Sequence, residues 1–197
     1  VFDAANNTLA EISGVITVTP SANSCVGLPM SYTVSVNPTP TVIVPPDAVY
    51  CAGSTVPAST FTGTIPSTVF SWTNSAPSIG MAASGTGNIP SFTSVNSTAS
   101  SVTAVISVTP SANSCVGTAL VFSITVNPNP AAPTVANATI CPGSSATLTA
   151  TAPGPTYNWY DAAVSGNLLA SNAAYTTPSL TASTMYYVNT TNAFGCV

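Results

Sequence analysis

The ten-residue string Val-Thr-Pro-Ser-Ala-Asn-Ser-Cys-Val-Gly occurs twice, at Val18 to Gly27 and again at Val108 to Gly117, a shift of 90 residues. The register extends beyond the identical string. Tyr32, Val34 and Val36 realign with Phe122, Ile124 and Val126, and Asn37-Pro38-Thr39-Pro40 with Asn127-Pro128-Asn129-Pro130. Cys51-Ala52-Gly53-Ser54 realigns with Cys141-Pro142-Gly143-Ser144. A fixed period with proline-marked joints is the signature of a tandem array. A unit of this length can close its own core, so the sequence predicts separate globular domains in a row rather than a solenoid.

The next constraint is an absence. The chain has no Lys, Arg or His, and its only acids are Asp3, Glu11, Asp47 and Asp161. No imidazole is present to act as base, proton shuttle or metal ligand. No cation is present to hold a phosphate, a carboxylate or a nucleic-acid backbone. Four scattered carboxylates make a paired-acid glycosidase site improbable, Asp47 with Asp161 being the one pairing worth checking, and their default reading is solvated surface groups. The chain is expected to be a non-enzyme, without metal or cofactor and without nucleic-acid partners; no acidic cluster has calcium-loop spacing.

The mean hydropathy of +0.44 does not signal membrane insertion. No apolar run approaches the roughly 18 residues a spanning helix needs. A transmembrane barrel also alternates, but cysteines, Asn-Pro-x-Pro joints and short strands argue against one. Five cysteines at repeat-related positions point instead to disulfides and an oxidising, extracytoplasmic setting. The chain opens Val1-Phe2-Asp3 without a start Met or basic region and stops at Gly195-Cys196-Val197, so it is expected to be a fragment of a longer polypeptide.

Strand signals recur with Gly, Pro and Asn turns between them. Val15 to Thr19 and Ser31 to Asn37 read as strands, the latter placing Tyr32, Val34 and Val36 on one face and Ser31, Thr33 and Ser35 on the other. No convincing amphipathic helix is visible. The expected fold is all-β: tandem antiparallel β-sandwiches joined by Pro-rich linkers. Residues 1–40 are expected to be the C-terminal part of one repeat, 41–130 a complete repeat, and 131–197 a different domain truncated before its last strand. Each linker proline fixes φ and restrains its predecessor, so the joints should be extended and semi-rigid, holding the domains apart as a stalk.

The periodicity allows two disulfide schemes. The favoured one places one bridge inside each domain, Cys51 with Cys115 and Cys141 with Cys196, leaving Cys25 unpaired. The other joins Cys25 to Cys51 and Cys115 to Cys141 across the linkers, leaving Cys196. Trp72 and Trp159 each follow their domain's first cysteine by about 20 residues, the placement of the central Trp of an immunoglobulin-type sandwich. Core packing is their expected role, against an exposed sugar-stacking role. Tyr160, Tyr175, Tyr186 and Tyr187 have the same structural default. Asn6, Asn96, Asn137 and Asn189 open Asn-x-Ser/Thr triplets, which matter only in a host that glycosylates them.

Residues 41–130, with Cys51-Ala52-Gly53, Trp72, Ile79-Gly80, Gly85-Thr86-Gly87, Ile106 to Pro110, Cys115-Val116-Gly117 and Ile124 to Pro128, resemble the PKD-like repeats of large Bacteroidota surface proteins. Residues 1–40 resemble the second half of that repeat. Cys141-Pro142-Gly143-Ser144, Trp159-Tyr160-Asp161, Tyr186-Tyr187-Val188, Thr191-Asn192-Ala193 and Gly195-Cys196 resemble the Ig-like domains that accompany it. One departure is that both first cysteines precede the second strand, so the immunoglobulin inter-sheet bridge does not carry over. The resemblance implies a segment of a type IX-secreted cell-surface adhesin, as in gliding motility. Its partners would be an extracellular surface, a glycan or neighbouring repeats of the same long polypeptide. Alternatives are a spacer or carbohydrate-binding accessory of a secreted enzyme, or a filament subunit.

Overall fold

The computed structural model describes residues 4–154 and 156–197. They form short antiparallel strands and a single 3-10 turn, Pro77–Ile79, with no α-helix among them. The protein is all-β, as alternating apolar residues between Gly, Pro and Asn turns dictate. It divides into two compact units. The first comprises Val1–Ala48, Thr55–Thr93 and Thr103–Ile124; the second comprises Val49–Ser54, Ser94–Val102 and Thr125–Val197. The Cys51 turn therefore goes with the C-terminal residues rather than with the bulk of residues 41–130.

In the first unit, strand Val102–Ala112 is flanked by Val69–Asn74 and Leu120–Asn127, with Ser84–Thr86 beyond Val69–Asn74. Trp72 faces Val108 and Gly85 on the neighbouring strands. A smaller sheet pairs Thr55–Val56 with Phe92–Thr93. Phe61 stacks against Phe70 and Phe122 at 5.8 and 6.3 Å between ring centroids. Trp72, Ile79, Ile89, Ile106 and Val108 fill the space around them. Each such side chain withdrawn from water contributes about 1.5–3 kcal/mol.

The N-terminal hairpin shows what that core is worth. Strand Ile12–Val18 pairs with Met30–Val36 from Ile12↔Val36 to Val18↔Met30. Tyr32 leaves 52% of its surface exposed, whereas its equivalent Phe122 leaves 4%. The pattern is the same, but by the 90-residue shift the position equivalent to Phe61 falls before Val1. Alternation thus made the strand, while burial depended on the opposite sheet.

The repeated ten-residue string is a tight hairpin. Asn113 and Ser114 have φ of 48° and 63°, and Asn23 and Ser24 have 49° and 62°. Two successive left-handed residues give the mirror-image turn that matches strand twist, and Asn tolerates that conformation. Ala112 faces Cys115 across one turn, and Ala22 faces Cys25 across the other.

The second unit carries two three-stranded sheets. One orders Thr134–Val135, Thr147–Thr151 and Ala174–Thr176; the other orders Leu168–Ala170, Thr156–Tyr160 and Tyr187–Thr191. Trp159 is 1% exposed, and its indole N–H donates to the Asn172 carbonyl at 2.9 Å. Ala150 and Thr177 are buried on the other sheet and its flank.

Candidate functional site

The ionisable groups are committed locally. Asp47 Oδ1 accepts the Ser123 N–H at 2.7 Å. Asp161 accepts from the backbone and side-chain N–H groups of Asn167 at 2.7 and 2.8 Å. Those bonds, the side-chain one foremost, hold its carboxyl below the ordinary value while it remains on the surface. Glu11 is exposed, and Asp3 lies outside the described residues. No group of three His, Cys, Asp or Glu side chains among the described residues converges as a metal site.

Two of the Asn-x-Thr triplets turn out to be structural. Asn96 Nδ2 donates to the carbonyls of Ser100 and Val126 at 2.9 and 2.7 Å, while its Oδ1 accepts from the N–H and hydroxyl of Thr98. Asn6 makes the same four bonds with Ala10, Val36 and Thr8. The triplet spacing puts the Thr two residues on, where an Asn side chain closes a local turn. Both amide protons of each Asn are used, so a glycan on that nitrogen would replace one of them and cost one of the two bonds.

The second unit has a cleft of about 640 Å³, bordered by Asn137, Ile140, Leu148, Thr181, Thr184 and Tyr186. Tyr175 stacks between Trp159 and Tyr186, at 5.8 and 5.2 Å between centroids. Desolvation, reinforced by Tyr186, pushes the Tyr175 phenol up. The lining holds no charged group, so it offers hydrogen bonds and apolar contact but neither a nucleophile activated by a base nor an acid pair. Trp72 and Trp159 are 5% and 1% exposed and provide no open aromatic platform.

The most constructed region is the proline joint. In the second unit the Ala52 N–H donates to the Asn127 carbonyl at 2.9 Å, and Asn129 Nδ2 donates to the Ala52 carbonyl at 3.1 Å. Asn192 Nδ2 donates to the Pro128 carbonyl at 2.7 Å. Pro128 is buried, and Asn127 accepts the Ser101 hydroxyl at 2.7 Å. The buried Ser94 hydroxyl lies within reach of two carbonyls, Cys51 at 2.7 Å and Ser54 at 3.0 Å, which pins the Cys-x-Gly-Ser turn. Gly53 sits at φ 85°, a conformation that favours glycine.

Across this joint Cys51 is bonded to Cys196, with Cα atoms 5.6 Å apart. Cys25, Cys115 and Cys141 are free thiols. Neither expected scheme is what the structure forms: Cys51 is not joined to Cys115 or Cys25, and Cys141 is joined to neither Cys196 nor Cys115. The reason is strand polarity. Cys115 lies in the turn before strand Leu120–Asn127, whereas Ala52 bonds to that strand's last residue. Eight residues of strand put roughly 25 Å between the two ends, far beyond the roughly 7 Å a disulfide tolerates. The signal available in the sequence was the likeness of Asn192-Ala193-Phe194-Gly195-Cys196 to Asn113-Ser114-Cys115: both are asparagine-led loops ending in cysteine.

The equivalent joint in the first unit is docked in a similar way. Asn37 Nδ2 donates to the Asn113 carbonyl at 3.1 Å. Pro38 and Pro40 are buried, and a Cβ on Gly117 would come within 1.9 Å of the Pro40 carbonyl oxygen. Pro38, Pro40 and Pro128 are therefore packed within their units rather than left in solvent.

Residues 130–197 match the family model described as Ig-like domain CHU_C associated. That segment is similar to Ig-like domains, a fold typical of extracellular proteins and usually a structural or binding module. Among solved structures, domains A168-A170 of titin align over 93% of this chain and 70% of theirs, at 18% identity and a TM-score of 0.43. Immunoglobulin domains 1–5 of Sidekick-1 align over 94% of this chain and 43% of theirs, at 13% identity and a TM-score of 0.33. The FN1-FN3 domains of chicken CNTN1 align over 91% and 69%, at 11% identity and a TM-score of 0.30. No curated protein is detectably similar in sequence. Among the described residues no helix is long and apolar enough to cross a membrane.

Proposed function

We propose that the chain is a repeat-stalk segment of a large extracellular cell-surface adhesin, with a structural role and a multivalent binding role. The observation that carries this reading is the seam around Pro128. A side-chain network and a covalent bridge hold one Cys-x-Gly-Ser turn to the far end of the next domain. Such a seam transmits tension between domains. In the same reading residues 1–40 and 41–130 are PKD-like repeats, and the polypeptide is exported by a type IX route.

The segment catalyses nothing in this reading. That is supported by the lack of His, Lys and Arg and by the local engagement of Asp47 and Asp161. Its partners are neighbouring repeats and an extracellular surface or glycan, contacted through many weak sites whose effect multiplies by avidity. The uncharged cleft bordered by Tyr186 is the candidate for one such contact.

The test is deletion of these residues from the parent protein, in frame, in the organism that makes it. Attachment under flow should fall while surface display of the rest persists. Unchanged attachment sinks the adhesin reading. Tight, selective binding of the isolated chain on a glycan array would move the assignment to a carbohydrate-binding accessory.

A further inference from the structure

We infer that the Cys51–Cys196 bridge is one link in a series, and that Cys25, Cys115 and Cys141 are half-links to the adjoining domains. In this series each bridge joins a Cys-x-Gly-Ser turn to the cysteine of the asparagine-led loop in the domain that follows. The inference goes beyond the stalk reading and does not depend on what, if anything, the stalk binds.

The five cysteines fall into two classes, the first alike in geometry and the second alike in following an asparagine. Cys51 and Cys141 head identical turns. Ser54 N–H donates to the Cys51 carbonyl and Ser144 N–H to the Cys141 carbonyl, both at 3.1 Å. Gly53 N–H reaches the Ser94 carbonyl and Gly143 N–H the Leu180 carbonyl, both at 2.7 Å. The two glycines have φ of 85° and 86°. Cys25, Cys115 and Cys196 instead end asparagine-led loops.

Two loops of the second class, those of Asn113 and Asn192, are also bonded to the linker that precedes their own domain. Asn192 donates to the Pro128 carbonyl of linker Asn127 to Pro130, and the Asn113 carbonyl accepts from Asn37 of linker Asn37 to Pro40. Cys115 and Cys196 thus each follow a loop bonded to the preceding linker, through different groups in the two cases. In the one pair that is closed, the turn cysteine lies on the other side of the linker. The matching partner for Cys115 is a Cys-x-Gly-Ser turn one period upstream, before Val1. The matching partner for Cys141 is a loop cysteine in a following domain. Cys25 and Cys141 are exposed and Cys115 is half-buried, so all three thiols remain within reach of a partner.

Closure follows thiol–disulfide exchange. One thiolate attacks a small disulfide such as oxidised glutathione and releases one glutathione thiolate. The second cysteine then attacks the mixed disulfide and releases the other. Two protein thiols lose two protons and two electrons, and one small disulfide becomes two thiols.

The inference is tested by placing a copy of residues 41–90 ahead of Val1, which completes the first repeat in register. The extended chain is oxidised with a glutathione buffer, alkylated, digested without reduction and mapped by mass. The added turn cysteine should be bonded to Cys115 and Cys51 to Cys196, with Cys25 and Cys141 alkylated. A bond from the added cysteine to Cys25, or an alkylated added cysteine with a free Cys115, overturns the series. Folding of the extension is not required for the second arm. In the unextended chain, Cys51→Ser should leave Cys196 alkylatable, with no substitute bond to Cys115 or Cys141. A substitute bond to either would show that pairing is not set by the class of turn and loop, and would overturn the inference equally.

Discussion

Gly85 lies directly under the indole of Trp72, so close that a Cβ there would come within 2.3 Å of the ring. The two residues face each other across adjacent strands, and the absent side chain is what allows the ring to lie flat in the core. Gly85→Ala should therefore displace Trp72 and destabilise its unit by about 1–3 kcal/mol, as overpacking does. Chemical denaturation followed by Trp fluorescence will show it. An unchanged midpoint would mean that the ring moves freely.

Asn96 should matter as a structural strut. Asn96→Ala leaves the Val126 and Ser100 carbonyls without their donor, and loss of such bonds costs about 1–3 kcal/mol. The same change at Asn6 should cost less, because the hairpin that Asn6 braces is largely exposed. The two denaturation midpoints compare the effects directly.

The Cys51–Cys196 bridge closes a span of 145 residues. In the chain-entropy account a loop of that length stabilises the folded state by up to about 5 kcal/mol. Cys196→Ser should accordingly lower the unfolding midpoint in non-reducing buffer and abolish any further effect of dithiothreitol. Pulled from its termini by force spectroscopy, the oxidised chain should hide the length between the two cysteines, roughly 500 Å at about 3.6 Å per residue. Reductant should release it.

Asp161 should give the C-terminal domain an acid-sensitive component. Its folded carboxyl titrates below the ordinary 3.8 because Asn167 bonds to the charged form. A depressed folded value stabilises above the unfolded value and loses that contribution as pH falls through the folded one. The window therefore opens below about pH 4. Asp161→Asn should flatten the pH dependence of unfolding there and lower the stability at neutral pH, where the carboxylate's contribution is fully present, read from Trp159 fluorescence.

Local rules made the strands legible and long-range geometry decided the rest. The expected strands over Val15 to Thr19 and Ser31 to Asn37 are close to the observed Ile12–Val18 and Met30–Val36, because alternation is written in consecutive residues. The fate of their faces was not, since Tyr32 and Phe122 share a pattern and differ in what lies opposite. The Asn-Ser pairs at 23–24 and 113–114 carry a turn signature that strand reading alone passes over. The bridge was misassigned for a related reason. A period relates Cys25 to Cys115 and Cys51 to Cys141 without saying at which end of a domain each one sits, and only strand direction supplies that.

The spacing of Cys51 and Cys196 also sets an order of events during biogenesis. As the chain emerges, Cys51 appears well before its mate, with Cys115 and Cys141 presented in between. The correct crosslink must wait until the last loop has been made and folded onto the seam. Until then, Cys51 shares the chain with two other thiols, while the bonds around Ser94 and Asn127 fix only the backbone of its turn. Premature oxidation is thus the hazard that this architecture has to survive.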